Sequence, residues 1–173
     1  PELPDEIASR LAVALGIPSS SRPESFTAPR APRNSEAYQY YLRGLELRHR
    51  RTAQSQRNAL ALFEQAIQID PKFAEAFAEA SDILTTEYEE GWTPYDTAIA
   101  RARKLAELAI AADPAVSRGY LALAKALEIR KEYREALANV GNALDLSPSS
   151  VDAHRERGMI LLKTGKAKEA LAE

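Results

Sequence analysis

The chain has 173 residues, of which 45% are apolar and 28% are charged, and this composition predicts one soluble domain with a continuous core. The formal net charge of -2 gives no overall positive field, so we expect no binding to nucleic acid. The absence of cysteine excludes disulfides, thiolate metal ligands and thiol nucleophiles.

The sequence carries no signal for insertion into a membrane. No apolar run approaches the roughly 18 residues that span a bilayer, and the first residues include Asp5 and Glu6 where a signal peptide would be basic. We therefore expect a cytoplasmic location, or a periplasmic one if a parent protein is tethered to the membrane. The missing initiator methionine predicts that the sequence is a piece of a longer protein.

The first predicted element is an amphipathic helix over residues 1–17. Ile7, Leu11 and Leu15 recur every four positions there, which places them on one helical face. Residues 18–34 are rich in proline and serine, a composition typical of an extended linker. A separate domain is predicted over the remaining residues, 35–173.

That domain repeats its own sequence. Pro71, Pro114 and Pro148 each follow an apolar residue and a short polar one, and the last two prolines are 34 positions apart. Proline cannot donate the next helical hydrogen bond, so each one predicts the end of a helix. The predicted repeats cover residues 35–71, 72–114, 115–148 and 149–173, the last of them incomplete.

Each repeat has the pattern of two antiparallel helices that pack closely. In the third repeat the small residues Ala124 and Ala136 allow the helices to approach, while Tyr120, Leu127 and Val140 fill the wider gaps. The other repeats have an aromatic residue or histidine, a small residue, a leucine and at least one alanine in the same order. These residues are Tyr40, Gly44, Leu47, Ala59 and Ala66; Phe77, Ser81, Leu84, Ala102 and Ala109; and His154, Gly158, Leu161 and Ala170.

The set resembles the tetratricopeptide-repeat family over about four fifths of the chain. The resemblance implies an all-α, right-handed α-solenoid of antiparallel helix pairs with about 3.5 repeats, preceded here by the extra N-terminal helix and linker. The first two repeats depart from the family spacing. The small residues of the two helices are 15 positions apart from Gly44 to Ala59 and 21 apart from Ser81 to Ala102, against 12 in the third repeat. These longer spacings predict insertions between the helices. Because the fourth repeat is incomplete, we expect Leu161, Ala170 and Leu171 to be partly exposed and to allow a homo-oligomer.

The start of the chain has a second, shorter resemblance. The run from Leu3 to Ala8, the proline-rich linker and the segment from Glu36 to Gly44 resemble a junction in bacterial signalling proteins. In those proteins a TolB-like segment precedes the repeats. This resemblance implies a regulatory or sensor arm of a cyclase, kinase or transcription regulator.

The sequence has no strong motif for catalysis or for binding a metal or a cofactor. His49 and His154, the two histidines, fall in different repeats and lack the spacing of a metal site or a catalytic triad. The stretch from Gly158 to Lys166 does not match the spacing of a phosphate-binding loop, and we expect Gly165 to be a turn glycine. We expect no enzyme activity, no metal and no cofactor.

The longest insertion holds the only tryptophan and two tyrosines. Tyr88, Trp92 and Tyr95 are candidates for a recognition loop because aromatic side chains often dominate binding surfaces. The alternative is that they fold back between the helices, with Thr93 as N-cap and Pro94 in the first turn of the next helix. The sequence leaves both interpretations open.

The family resemblance also implies where a partner would bind, because the first helix of each repeat lines a concave groove. Chaperone-tail binders place lysine and asparagine at matched positions of that groove, where this chain has Ala78 with Asp82 and Leu121 with Lys125, so we expect no clamp on a free carboxylate. Because the groove is acidic at Glu75, Glu79 and Asp82, we expect a protein or peptide partner with a basic and apolar segment. The alternative functions are a regulatory arm, as above, and a structural spacer or self-association module. Carried over by position, the groove residues are Tyr41, Leu45, Glu75, Glu79, Asp82, Arg118, Leu121, Lys125, Arg155 and Met159.

Overall fold

The computed structural model describes residues 34–171, and this part of the chain folds as eight α-helices without a strand. The predicted N-terminal helix, residues 1–17, and all but the last residue of the linker lie outside the described residues. The helices are α1 Ser35–Arg48, α2 Ala53–Ile69, α3 Ala74–Glu89, α4 Tyr95–Ala112, α5 Ser117–Ile129, α6 Tyr133–Leu146, α7 Val151–Lys163 and α8 Ala167–Ala170.

Short polar side chains set where several helices begin. The Asn34 side chain accepts a hydrogen bond from the Glu36 amide at 2.9 Å, and Thr52 and Ser55 form a reciprocal capping box at the start of α2. The Ser150 hydroxyl accepts from the Ala153 amide at 3.3 Å. Each contact satisfies an amide that has no partner inside its helix.

The predicted proline-marked helix ends are confirmed. The backbone N–H groups of Asp70, Asp113 and Ser147 donate to the carbonyl four residues earlier at 2.9, 3.1 and 2.9 Å. The proline follows in each case, where the helix has ended. The same three residues then accept a hydrogen bond from the amide three positions later, at 3.0, 3.2 and 3.1 Å. One turn geometry is therefore used three times, as a repeat architecture requires.

The turns inside the second, third and fourth repeats also share one geometry. Gly91, Lys131 and Gly165 adopt left-handed backbone angles with φ of 72°, 64° and 78°. The next amide in each turn donates to the carbonyl five residues before it, at 2.8, 2.9 and 2.8 Å, which is the Schellman closure of a helix. The predicted role of Gly165 as a turn glycine is confirmed.

Helices pack in the predicted pairs, α1 with α2, α3 with α4 and α5 with α6. Ala59, Ala124 and Ala136 are completely buried where their helices meet. The hydroxyl of Ser81, the small residue of the second repeat, donates to the Ala102 carbonyl at 2.8 Å and joins α3 to α4. The all-α solenoid of antiparallel pairs is thus confirmed.

The large insertion in the second repeat mainly lengthens its helices. Helices α3 and α4 have 16 and 18 residues, against 13 and 14 for α5 and α6, and only residues 90–94 connect them. The expectation of an insertion between the helices is corrected accordingly. Ala98 and Ile99, in the added part of α4, are buried, so apolar burial favours continued helix over a longer loop.

The end of the described chain is only partly as expected. Leu171 is 88% exposed and Ala170 is partly exposed, but Leu161 is buried, with 6% exposure. The prediction for Leu161 is wrong because α7 packs on α6 and on the short α8. Val151 and Leu162 are exposed on α7 instead, and a homo-oligomer through this end stays a prediction.

Two layers of helices make up the solenoid. Helix α3 packs on α5 and α5 packs on α7, and ion pairs connect α1 to α3. We call the face formed by α1, α3, α5 and α7 the inner surface; α2, α4 and α6 form the outer layer. None of the described helices is long and apolar enough to cross a membrane.

Gly44 permits the close contact between α1 and α2. A Cβ atom at this position would lie 2.5 Å from Cε1 of Phe63, whose side chain is completely buried and packs against Tyr41 at 5.7 Å between ring centroids. Because the ring has no room to move, we expect Gly44→Ala to lower the free energy of unfolding by about 1–3 kcal/mol through overpacking.

A matched control for this substitution is available in α6. A Cβ atom at Gly141 would contact nothing within 4 Å, so Gly141→Ala should stabilise the protein by about 1 kcal/mol through helix propensity alone. Chemical denaturation of both variants measures the two effects. Stabilisation by Gly44→Ala would contradict the packing between α1 and α2.

Candidate partner-binding surface

A network of ion pairs joins the first three repeats across the inner surface. The Arg48 guanidinium, at the end of α1, pairs with both Glu79 and Asp82 of α3. From α5, Arg118 pairs with Glu79 and Lys125 pairs with Asp82. We call these five residues the charge network. It holds three cations and two carboxylates, and both carboxylates are buried, Glu79 with 1% exposure.

Burial and ion pairing together shift the pKa values of the two carboxylates in opposite directions. Burial raises the pKa of Glu79, and the attraction of Arg118 and Arg48 only partly offsets this effect. Burial also acts to raise the pKa of Asp82, but Lys125 and Arg48 outweigh it and the pKa lies below its usual value. The acidic region expected at Glu79 and Asp82 is therefore neutralised within the protein.

A shallow pocket opens on the inner surface beside this network. It lies where α3 and α5 meet the first turn of α7, and both charged and apolar side chains reach it. Four predicted groove residues are brought together here. The lining residues are Ala78, Asp82, Arg118, Leu121, Ala122, Lys125 and Asp152.

The predicted groove residues of the first repeat have a packing role. Tyr41 packs among Tyr38, Phe63 and Phe73, with centroid distances of 6.0, 5.7 and 4.9 Å. Burial and the nearby Glu79 carboxylate raise the pKa of the Tyr41 hydroxyl well above its usual value. Leu45 is half-buried against the core. These two residues therefore present only part of their surface to a partner.

The remaining predicted groove residues are more accessible. Glu75 is half-buried in the first turn of α3. Arg155 is exposed and pairs with Asp152 at 3.1 Å, and Met159 is 40% exposed on α7. Arg155 and Met159 thus offer free surface in the fourth repeat, away from the charge network.

A second charged group lies towards the other end of the same helices. Glu89 of α3, Glu128 of α5 and Glu156 of α7 interact electrostatically with one another; we call them the acidic trio. Lys163 pairs with Glu128. Glu128 and Glu156 are buried, which is unusual for side chains with a carboxyl group.

Glu156 is the member with the strongest change in acidity. Burial, together with Glu128 and Glu89, raises its pKa to about 7, and Lys125 and Arg155 only partly oppose this rise. Its carboxyl group makes no direct hydrogen bond or ion pair with the described residues. Glu156 therefore keeps its proton to a higher pH than an ordinary glutamate does.

The aromatic residues of the insertion pack at the tip of the second repeat. The rings of Tyr88 and Tyr95 meet edge to face at 5.5 Å, and Trp92 is partly buried. The Trp92 amide donates to the Glu87 carbonyl at 2.8 Å. The Tyr88 and Tyr95 rings therefore pack on each other, while Tyr95 remains 38% exposed. Recognition by these three residues stays a prediction.

The predicted helix cap at this turn is wrong. Pro94 is the N-cap residue of α4 and no side chain caps the helix. The Thr93 hydroxyl instead donates to the Glu87 carboxylate at 2.9 Å. A buried carboxylate that needs a donor accounts for the different use of the threonine.

Several residues of the inner surface were missed from the sequence. Arg48 and Glu128 lie eight positions after the repeat aromatics Tyr40 and Tyr120, and neither is among the predicted groove residues. A preference for charged residues at this position of the repeat would have found both. Within residues 34–171, no group of acidic, histidine or cysteine side chains has the arrangement of a metal site.

No protein-family model matches the sequence, and no curated protein shows significant similarity to it. Solved structures do match. TTC0263, a thermophilic tetratricopeptide-repeat (TPR) protein from Thermus thermophilus, aligns with a TM-score of 0.64 and 20% identity over 79% of this chain and 70% of that one.

Two further TPR domains align comparably. The Sgt2 TPR domain from Aspergillus fumigatus has a TM-score of 0.63 and 19% identity, covering 82% of this chain and 87% of that one. The first TPR of Spaghetti (RPAP3), bound to the HSP90 peptide SRMEEVD, has a TM-score of 0.58 and 17% identity over 80% and 94%. Together with the repeated residue pattern and the stacked helix pairs, these neighbours show that the chain has the tetratricopeptide-repeat fold.

Proposed function

We propose that the chain is a non-catalytic protein-interaction scaffold that binds a segment of a partner protein along its inner surface. The pocket between α3, α5 and α7 carries this proposal, because it combines apolar lining from Leu121 and Ala122 with the charged groups of Asp82, Arg118 and Lys125. The charged groups can orient a partner segment that lies over this small pocket.

The structural neighbours support the same class of function. The first TPR of Spaghetti (RPAP3) has been solved with a bound HSP90 peptide, so this fold can hold a peptide. A role as the sensor arm of a bacterial signalling protein would use the same binding event and stays a prediction.

The partner surface extends from the pocket to the fourth repeat. The cations of the charge network neutralise Glu79 and Asp82. The main role of these two carboxylates is therefore to position Arg118 and Lys125, and they offer a partner little free negative charge. Met159 provides exposed apolar surface on α7. We infer that a partner segment lies over the pocket and contacts the exposed side chain of Met159.

The test compares two substitutions of equal exposure. Met159 on the inner surface and Leu108 on the outer helix α4 are both 40% exposed, so glutamate is tolerated at either without loss of core packing. We expect peptides selected from a random display library by the wild-type chain to bind Met159→Glu at least about tenfold more weakly, which is about 1.4 kcal/mol.

Leu108→Glu is the control and should bind the selected peptides as the wild type does. Equal weakening by both variants would contradict binding on the inner surface. Failure of the wild-type chain to enrich any peptide family would contradict the scaffold proposal itself. Circular dichroism melts of the two variants verify that both remain folded.

A further inference from the structure

We propose that two copies of this chain pair through helix α7, which lies antiparallel to α7 of the other copy about a two-fold axis. Helix α7 contacts α5, α6 and α8. Its remaining face is exposed to solvent in the part of the chain that the structure describes. A second copy is therefore the occupant that we infer for this face, in addition to the partner segment of the proposed function.

Three large apolar side chains lie on the exposed face. Val151 is 79% exposed, Leu162 is 59% exposed, and Met159 lies beside them. At 3.6 residues per turn, these three residues and Arg155 fall within about 80° of one another around the helix. We call these four residues the α7 stripe. Apolar side chains that gather on one exposed face indicate an interaction surface.

The order of residues along α7 makes this face complementary to itself. Val151 and Asp152 lie at one end, and Leu162 and Lys163 follow each of them by 11 positions. Eleven positions are about 20° more than three whole turns, so each pair shares one side of the face. In an antiparallel pair, Val151 of one copy therefore meets Leu162 of the other. Asp152 of one copy likewise meets Lys163 of the other, and both contacts occur twice.

The same charges disfavour a parallel pair. Side-by-side parallel helices would bring Asp152 near Asp152 of the other copy and Lys163 near Lys163 of the other copy. Their helix dipoles would also point in the same direction, which is unfavourable. A two-fold interface needs one surface that fits itself, and the antiparallel arrangement meets this requirement with opposite charges together.

Asp152 and Lys163 can make these contacts and keep their present partners. The Oδ1 atom of Asp152 pairs with Arg155 at 3.1 Å, and the Asp152 side chain is half-exposed. Lys163 pairs with Glu128, and an ammonium group has three donors to offer. The Arg155 stem can cover Met159 of the other copy while its charged head stays beside Asp152.

The length of α7 makes the expected dimer a weak one. Its 13 residues correspond to about 20 Å of helix, and a contact along one helix falls at the small end of specific interfaces. The dimer should therefore dissociate on dilution. Because Met159 also belongs to the proposed partner surface, a partner segment and a second copy compete for this helix.

The absence of cysteine from the chain allows a direct test by cross-linking. Val151→Cys and Leu162→Cys are made in separate copies of the full chain, and the two variants are oxidised alone and mixed. We expect mixed disulfide dimers to exceed same-variant dimers at least about fivefold, because a disulfide needs Cα atoms within about 7 Å. Leu108→Cys, equally free of core packing on the outer helix α4, is the control and should give only background cross-linking with either variant.

Sedimentation of the protein without added cysteine measures the association itself. Val151→Glu should raise the dissociation constant of the dimer at least about tenfold, because it places a charge against Leu162 of the other copy. Leu108→Glu is the matched control and should leave the dissociation constant unchanged. Circular dichroism verifies that both variants are folded.

Three results would each overturn the α7 pair. They are a wild-type chain that stays monomeric at about 1 mM, same-variant disulfides in excess over mixed ones, and equal sedimentation of Val151→Glu and Leu108→Glu. None of them touches the scaffold proposal, which stands if library peptides still distinguish Met159→Glu from Leu108→Glu.

Discussion

Replacement of Arg48 by leucine should lower the free energy of unfolding by about 3 kcal/mol, at the lower end of the range for breaking a buried ion pair. The guanidinium pairs with two carboxylates, Glu79 and Asp82, that have almost no access to water. Without Arg48, both carboxylates remain buried with less positive charge beside them. Arg118 and Lys125 still pair with them, which is why we expect the smaller value.

An exposed ion pair between outer helices provides the control. Arg101 pairs with Glu64 near the surface, with both side chains at least a third exposed, and Arg101→Leu should cost less than about 1 kcal/mol. Urea denaturation at neutral pH measures both variants. Adding Glu79→Gln to Arg48→Leu removes a buried carboxylate that has lost one of its two cations and should recover part of the loss.

Equal effects of Arg48→Leu and Arg101→Leu would contradict a buried network. No recovery in the double variant would contradict the direct pairing of Arg48 with Glu79. Either result would require a different arrangement of charges between the first two repeats.

The second large effect is a pH-dependent stabilisation by Glu156→Gln. The pKa of Glu156 rises from an ordinary value of 4.5 to about 7 because of burial and the neighbouring carboxylates Glu128 and Glu89. At about 1.4 kcal/mol per pKa unit, ionised Glu156 destabilises the folded chain by about 3 kcal/mol. Glutamine has no charge to bury, so the variant should be more stable by up to that amount at pH 8.

The sign follows from the direction of the pKa change. In the folded chain Glu156 holds its proton up to about pH 7, whereas in the unfolded chain it loses the proton near its ordinary value. Below about pH 4.5 Glu156 is protonated in both states and costs the wild type no stability. As the pH rises from 4.5 to 7, the free energy of unfolding of the wild type falls. The difference between the variant and the wild type should grow over the same range.

Denaturation of both proteins at five pH values from 4 to 8 measures that difference. Lys125 and Glu128 of α5, Glu89 of α3, and Arg155 and Lys163 on the same helix also face Glu156, and they are present in both proteins. Glu135→Gln is the control and should show no pH-dependent gain. A constant difference across the range would mean that Glu156 titrates normally.

The fold could be predicted from the sequence because its rules are local and repeated. The small residues at Ala124 and Ala136 and the proline after each second helix occupy positions that allow few other structures. Errors came where tertiary packing decides the outcome. The burial of Leu161 depends on neighbouring helices, and Thr93 donates to a buried Glu87 instead of capping α4.

The candidate site was predicted less completely. Helical spacing identifies which residues face the inner surface, and Asp82, Arg118, Leu121 and Lys125 do line one pocket. Spacing cannot show which charges neutralise one another, since Arg48 contacts Asp82 across 34 positions and Lys125 contacts it across 43. The apparent acidity of the second repeat therefore disappears only in three dimensions.

Ion pairs that cross from one repeat to the next also bear on how the solenoid unfolds. Glu79 and Asp82 hold the first, second and third repeats to each other, whereas the third and fourth repeats are joined by the pair of Lys163 with Glu128 and by the apolar contacts of Ala153 and Ile160. In a repeat protein, cooperativity depends on the coupling between neighbours. The first three repeats should consequently unfold together, and the terminal fourth repeat, which has a neighbour on one side among the described residues, should open before them.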